Sequence, residues 1–274
     1  MMKEFSRTLI TGADGMIGSY IDFGRKTNRA SLDITKLSQV TRIGREFRPK
    51  AIIHLAAETD VAKCEREPAH AYLVNSVGTY HVALLARDIG AKLLYISTNA
   101  VFDGMKGKPY TTKDTPHPAD CCARTKYLGE LAVRGLLENY CIIRTSSLFG
   151  GGRQKDKKFV AKIIERMNGS EIKAVEDEII SPTFAKDLVG KIKQLLAENA
   201  RGIFHVVNEG FCSRFECAQE IARIRGFKGN IIPVPARSFD RIPSQIILQS
   251  SFPMRPWQEA LEEYLKTEWV ESIA

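Results

Sequence analysis

The chain has 274 residues, 44% of them hydrophobic and 26% charged, and its 40 basic and 32 acidic residues give a formal net charge of +8. That length suits one large α/β domain or two small ones, and the composition excludes disordered, collagen-like and repeat architectures. The excess charge is dispersed, and even the basic run Arg153–Lys158 carries Asp156. A solvated basic surface facing an anionic small molecule is therefore expected, with no nucleic-acid partner.

No window is apolar over roughly eighteen residues, so no membrane span is expected. Met1–Arg7 carries charges and no apolar stretch, unlike a signal peptide. Six cysteines stand at 64, 121, 122, 141, 212 and 217 without a metal-type CxxC pair. They read as thiols in a reducing cytoplasm. No carboxylate or histidine cluster suggests a metal site.

In chain order, Thr8–Ile10 is a short apolar run that stops at Thr11-Gly12, as a buried parallel strand does. Further strands are expected at Ala51–Ala57, Lys92–Ser97, Tyr140–Thr145 and Gly202–Val207. Helical spacing of apolar residues runs through Ala69–Asp88 (Ala71, Val74, Val77, Val82, Leu85) and Arg124–Asn139 (Leu128, Leu131, Ala132, Leu136). Helices are also expected at Phe159–Met167, Ala185–Glu198, Arg214–Arg225 and Trp257–Thr267. Strands alternating with helices imply an α/β, Rossmann-type doubly wound parallel sheet. The irregular stretches Phe102–Asp120, Gly150–Lys157 and Arg237–Pro256 are expected on the ligand side, at the carboxyl ends of the strands.

The segment Thr11-Gly12-Ala13-Asp14-Gly15-Met16-Ile17-Gly18 leaves the first strand and opens a helix. Gly12 allows a tight turn, Gly15 lets the backbone approach a pyrophosphate, and Gly18 lets the helix pack close to the sheet. Asp14, Met16 and Ile17 complete the turn around a dinucleotide. Only thirteen residues, Ser19 to Ser31, precede Leu32, so the first helix is short or the second strand vestigial. No acid is placed to hold a ribose 2′-hydroxyl, whereas Arg25, Lys26 and Arg29 fall in that region. They either favour a 2′-phosphate, hence NADPH over NADH, or are solvated loop charges.

The GxxGxxG turn, Ser97-Thr98 followed by Val101-Phe102-Asp103-Gly104, and Ser181–Leu188 (SPTFAKDL) together resemble the extended short-chain dehydrogenase/reductases. Within them the likeness is to dTDP-4-dehydrorhamnose reductase-like sugar nucleotide reductases, over nearly the whole chain. The resemblance implies an NADP- or NAD-dependent oxidoreductase, in the cytoplasm, acting on a nucleotide sugar, as a monomer or a homodimer. It places Asp33 and Ile34 at the adenine, Ala56 and Ala57 along the cofactor, and Asn75 on the nicotinamide side. It assigns residues 1–146 and about 180–208 to the dinucleotide domain, and 147–179 and 209–274 to a smaller interleaved α+β substrate lobe.

In that family a tyrosine four residues before a lysine donates the proton, the lysine also holds the nicotinamide ribose, and a Ser or Thr orients the substrate carbonyl. Lys126 and Thr98 match the last two. Cys122 stands at the tyrosine position. A thiol is more acidic than a phenol, about 8.5 against about 10, tends to thiolate beside a lysine, and is too short to reach where a phenol oxygen sits. Tyr127 points roughly 100° around the helix. Tyr110 or a relayed water remain as alternative proton donors, and a Cys122–His117 pair as an alternative nucleophile. Asn99, Ala100 and Ser147 replace larger or acidic residues of the family's substrate pocket. Two readings follow: a reductase of a nucleotide-diphospho-4-keto-6-deoxy sugar with its proton route moved, or a redox-silent nucleotide-binding or regulatory homologue.

Overall fold

A computed structural model describes residues 5–239, 242 and 244–269. The reading of Met1–Glu4, and Asp240, Arg241 and Pro243 within the third irregular stretch, lie outside the described residues. Contacts divide the chain into two compact units: 1–102, 115–144 and 192–204 in the first, and 103–114, 145–191 and 205–274 in the second. The boundaries differ from those drawn on the sequence. Residues 103–114 join the second unit because Tyr110 bridges to Leu248 and its N–H bonds the Ile247 carbonyl. Residues 180–191 join it because Asp187 accepts two bonds from Arg255.

The first unit opens with β1 (Thr8–Thr11), α1 (Met16–Ser19), β2 (Arg25–Lys26), α2 (Leu37–Phe47) and β3 (Ala51–His54). It continues with α3 (Val61–Arg66), α4 (Pro68–Ala71), a π-helical stretch Tyr72–Gly78, α5 (Thr79–Ile89), β4 (Lys92–Thr98), α6 (Cys121–Leu136) and β5 (Tyr140–Thr145). A sixth strand, Gly202–His205, completes a sheet ordered Gly202–His205, β5, β4, β3, β1, β2. β1 runs parallel to both β2 and β3, and β3 parallel to β4. The sheet is a Rossmann-type one. Its central strands β1, β3 and β4 are apolar runs because both faces are covered. Leu9, Ile52, Leu93 and Ile142 from four strands pack with Val40 and Ile43 of α2, Val82 and Leu85 of α5, and Val133 of α6.

Several elements correct the sequence reading. Both shortenings offered as alternatives occur: α1 has four residues and β2 has two. The Ala51–Ala57 strand ends at His54. α2 and α3 were not anticipated. The Ala69–Asp88 helix is compound, and Val77, assigned to its buried stripe, is exposed. α6 starts at Cys121, not Arg124, because Asp120 caps it by accepting the Ala123 N–H at 2.7 Å. Cys122 therefore sits in its first turn.

In the second unit Glu178–Ile180 pairs with Cys212–Ser213 and Ser244–Gln245, Asn230–Val234 with Glu171–Val175, and Leu148–Phe149 with Thr183–Phe184. The Gly150–Lys157 stretch contains a helical turn, Gly152–Lys155, and Arg237–Pro256 contains the strand Ser244–Gln245. The helix Trp257–Thr267 buries Trp257, Ala260, Leu261, Tyr264 and Leu265. Tyr264 packs on the stacked pair Phe149 and Phe184, and its hydroxyl donates to Asp156 at 3.0 Å. No helix among the described residues is long and apolar enough to cross a membrane. Tyr264→Ala should destabilise the protein by about 3–5 kcal/mol, read by chemical denaturation.

Candidate active site

The chain passes from β1 to β2 on one side, then crosses back to β3 on the other. The strand order reverses there, and in open α/β sheets the crevice at such a reversal binds dinucleotides. The glycine turn spans this place. Gly12 has φ +67°, and a Cβ on it would lie 2.6 Å from the backbone N and Cα of Ala56. A Cβ on Gly18 would lie 2.2 Å from the Ala13 carbonyl oxygen. Gly15 is different: a Cβ there would meet nothing closer than 3.5 Å. The two outer glycines thus let the chain touch itself, and the middle one leaves an open cradle.

The turn is braced by Thr27, whose N–H and hydroxyl both reach the Ile10 carbonyl at 2.8 Å while its own carbonyl accepts the Ala13 N–H. Asn28 donates to Asp14 at 2.8 Å. Met16 is half-buried and Ile17 is buried. A one-turn α1 has little macrodipole, so the loop amides rather than a helix field are what a phosphate would meet.

Around this turn, Asp33 accepts the Thr35 hydroxyl at 2.6 Å and its N–H at 3.0 Å, which hold its carboxyl below its usual value. Ile34 is buried. Ala56 and Ala57 follow β3 and are half-buried. Arg25 and Arg29 are exposed, and the Arg25 guanidinium lies 5.5 Å over the Phe47 ring. His54 bonds Thr11 at 2.6 Å and Thr79 at 3.0 Å. Burial drives its pKa down to about 3, so it is a neutral brace between β1, β3 and α5.

The second half of the site is built by β4 and α6. Cys122, Lys126 and Glu130 follow one another at four-residue spacing on one helix face. Lys126 is buried, donates to the Ile96 carbonyl at 2.6 Å and lies 4.2 Å over the Tyr95 ring. Burial pulls its pKa down to about 8, against the opposing charges of Cys122 and Glu130. Glu130 is fully buried in a two-point pair with Arg144, at 2.9 and 2.6 Å, and accepts the Ser97 hydroxyl at 2.5 Å. Thr98, at the end of β4, caps the short turn Asn99–Val101 by accepting the Ala100 N–H at 3.1 Å.

Cys122 is half-buried, and its Sγ donates to the Glu58 carbonyl at 3.7 Å. Glu58 and Asn75 are linked. The Asn75 amide accepts the Glu58 N–H and donates to the Glu58 carbonyl and to Thr125. Asn75 therefore ties the segment after β3 to α6. The Glu58 carboxylate meets Lys63 at 2.8 Å and His70 at 3.8 Å. Burial raises its pKa, but the bonds from Lys63 and the Asp60 N–H outweigh this and leave it below its usual value.

The first unit thus gathers Gly12, Gly15, Gly18, Ala56, Asn75, Thr98, Cys122 and Lys126. Tyr110 and Ser147 belong to the second unit. The Tyr110 hydroxyl donates to Asp103 at 2.7 Å and accepts the Lys106 N–H, both within its own loop; burial and the bond to Asp103 raise its pKa. Ser147 has φ +39°, and its carbonyl accepts the Thr183 N–H. His117 is exposed, and Tyr127 is half-buried. Glu58, Cys64, Tyr95, Glu130 and Arg144 were missed. Only Glu130 had a signal, its spacing from Lys126. The second unit also holds a cleft of about 780 Å³ bordered by Lys106, Thr111, Phe211 and Phe252, and none of the sequence-derived site residues lines it.

A glycine turn at the strand reversal, beside a helix that carries a buried lysine under a Thr-ended strand, defines a Rossmann-type protein of the short-chain dehydrogenase/reductase class. The family model described as RmlD substrate binding domain matches residues 6–269, and the chain belongs to that family. It is 31% identical to the spore coat polysaccharide biosynthesis protein SpsK of Bacillus subtilis, over 95% of this chain and 97% of that one. It is 33% identical to a dTDP-4-dehydrorhamnose reductase of Mycobacterium tuberculosis, over 95% and 93% of the two chains. The structure of the Bacillus anthracis dTDP-4-dehydrorhamnose reductase in complex with NADP is similar at a TM-score of 0.90 and 35% identity, over 94% and 98% of the two chains.

The Lys126 pKa gives a stability test. Its folded value, about 8, lies below the ordinary 10.5 of the unfolded chain, so between those pH values the unfolded state binds more protons. The penalty for burying the cation is complete below pH 8 and is relieved as pH rises towards 10.5, by about 3 kcal/mol. Lys126→Met should be more stable than the natural protein at pH 7, and urea denaturation across pH 7–10 should show the difference narrowing.

Proposed function

We propose that the protein is a nicotinamide-dependent reductase of a nucleotide-diphospho-4-keto-6-deoxy sugar. The observation that carries this reading is Lys126, buried against β4 with its ammonium on the Ile96 carbonyl, two residues before Thr98, where burial lowers its pKa to about 8. A group with that pKa gives up a proton near neutrality. The open cradle at Gly15 fits a dinucleotide, because the approach of a pyrophosphate needs the space a side chain would fill. The amides of Gly12–Gly18 would hold the pyrophosphate, Asp33 and Ile34 would flank the adenine, and Ala56 and Ala57 would line the cofactor. When bound, the nicotinamide supplies the hydride. The basic, acid-free stretch of Arg25, Lys26 and Arg29, and the NADP in the Bacillus anthracis relative, favour NADPH.

In this reading the Thr98 hydroxyl orients the substrate carbonyl, with Asn99 and Ala100 as walls for the sugar, and Ser147 is the substrate-wall residue that the second unit would contribute. Lys126 holds the proton at Nζ and passes it through the Thr98 hydroxyl to the carbonyl oxygen. Cys122 leaves room where a phenol would stand. A cytoplasmic nucleotide sugar, taken by a monomer or a homodimer, is the proposed partner. One observation favours the second reading, a redox-silent binder: the Cys122 thiol is turned to the Glu58 carbonyl.

NADPH oxidation with dTDP-4-keto-6-deoxy sugar separates them. The natural protein should turn over, and Lys126→Met should lower kcat by about 10²-fold or more. The natural rate should fall as pH rises through about 8, when Lys126 loses its proton; a rate flat to pH 10 excludes Lys126 as the donor. Turnover only by Cys122→Tyr would establish the silent binder. In fluorescence titration NADPH should bind more tightly than NADH, and the reverse order removes the 2′-phosphate assignment.

A further inference from the structure

Position 122 has a neighbour that neither the reductase nor the binder reading uses. Cys64 of α3 is fully buried and packs with Ala71 and Cys121 in a small cluster against which Cys122 rests. Cys122 of α6 packs against this cluster, close enough for its thiol to interact with that of Cys64. Only Cys122 has solvent exposure; Cys64 has none. The two cysteines of the pair thus differ as an attacked and a resolving thiol do.

We propose that Cys122 and Cys64 form an oxidation site for small hydroperoxides, closing to an intrachain disulfide. The Cys122 sulfur attacks one peroxide oxygen, the O–O bond breaks, and the departing oxygen takes up the thiol proton. Cys122 is then a sulfenic acid. The Cys64 sulfur attacks the Cys122 sulfur, the S–O bond breaks, and water leaves with the Cys64 proton. Two thiols are oxidised by two electrons and one peroxide is reduced. The Lys126 ammonium, one helical turn from Cys122, favours the attacking thiolate. Burial pushes the Cys64 thiol up to about 12, so the second step is the slow one and the sulfenic acid persists long enough to trap. The disulfide would draw the Cys122 Sγ off the Glu58 carbonyl and clamp the first turn of α6 to α3.

A second thiol contact provides an internal contrast. Cys212 and Cys217 also bond each other, and contact with Cys217 together with burial raises the Cys212 pKa strongly. Both are buried, so neither is open to a peroxide.

The natural protein, folded, is treated with hydrogen peroxide, denatured with a thiol-blocking reagent and digested with trypsin. It should lose two thiols. The peptides Cys64–Arg66 and Asp114–Arg124 should be joined through Cys122, and dithiothreitol should part them. Cys121→Ser should keep the cross-link. Cys64→Ala should instead carry a dimedone-labelled sulfenic acid at Cys122. Unchanged thiol number overturns the proposal, as does a cross-link through Cys121 or between Cys212 and Cys217. The masses are read whether or not the protein turns over a sugar, so the outcome stands apart from that of the reductase assay.

Discussion

A single buried ammonium organises the middle of the first unit. Lys126 is a cation in a low-dielectric interior, and such a group persists only where neighbours replace lost water. Here the Ile96 carbonyl takes one N–H and the Tyr95 ring offers its negative face. One turn further along α6 a carboxylate, Glu130, supplies counter-charge, and it is itself held by Arg144 and Ser97. β4, α6 and β5 are thus cross-linked through a chain of charges. Because Ser97 and Thr98 are consecutive on β4, the network that makes the lysine tolerable also fixes where the Thr98 hydroxyl stands.

The same helix face sets what position 122 can reach. A tyrosine in the first turn of α6 would extend a long phenol outward, while a cysteine stays close to the helix. The shorter side chain falls inward, onto the carbonyl of Glu58 and the thiol of Cys64. Glu58 matters in the same way: its amide, carbonyl and carboxylate are each engaged, by Asn75, by Cys122 and by Lys63 with His70.

Much of this was legible in the sequence. The runs at Thr8, Lys92 and Tyr140 are apolar because both sheet faces are covered, and such strands declare themselves. The glycine turn and the four-residue spacing from Cys122 to Lys126 are local and survive without tertiary knowledge. α2 was not seen, although Val40, Ile43 and Phe47 have helical spacing, because the charged residues between them dilute the signal. The salt bridge of Glu130 with Arg144 joins a helix to a strand, and nothing in one sequence pairs those positions. The Cys64–Cys122 contact is of the same kind, formed by packing between α3 and α6. The domain boundary was misplaced at 103–114 because hydrogen bonds to Ile247 and Gln249, remote in sequence, decide it.

The π-helical stretch Tyr72–Gly78 puts one further constraint on the chain. Its i→i+5 bonding holds more residue per turn than an α-helix, so the segments before and after it are out of phase. That is why the stripe running from Ala71 to Leu85 breaks at Val77. It also makes the fold sensitive to the length of this segment. Removing one residue would let the helix wind regularly, and everything upstream would rotate by about 100° relative to α5. Asn75 would then face away from Glu58 and Thr125. An insertion or deletion within it would dismantle the joint between the β3 loop and α6 that Asn75 makes.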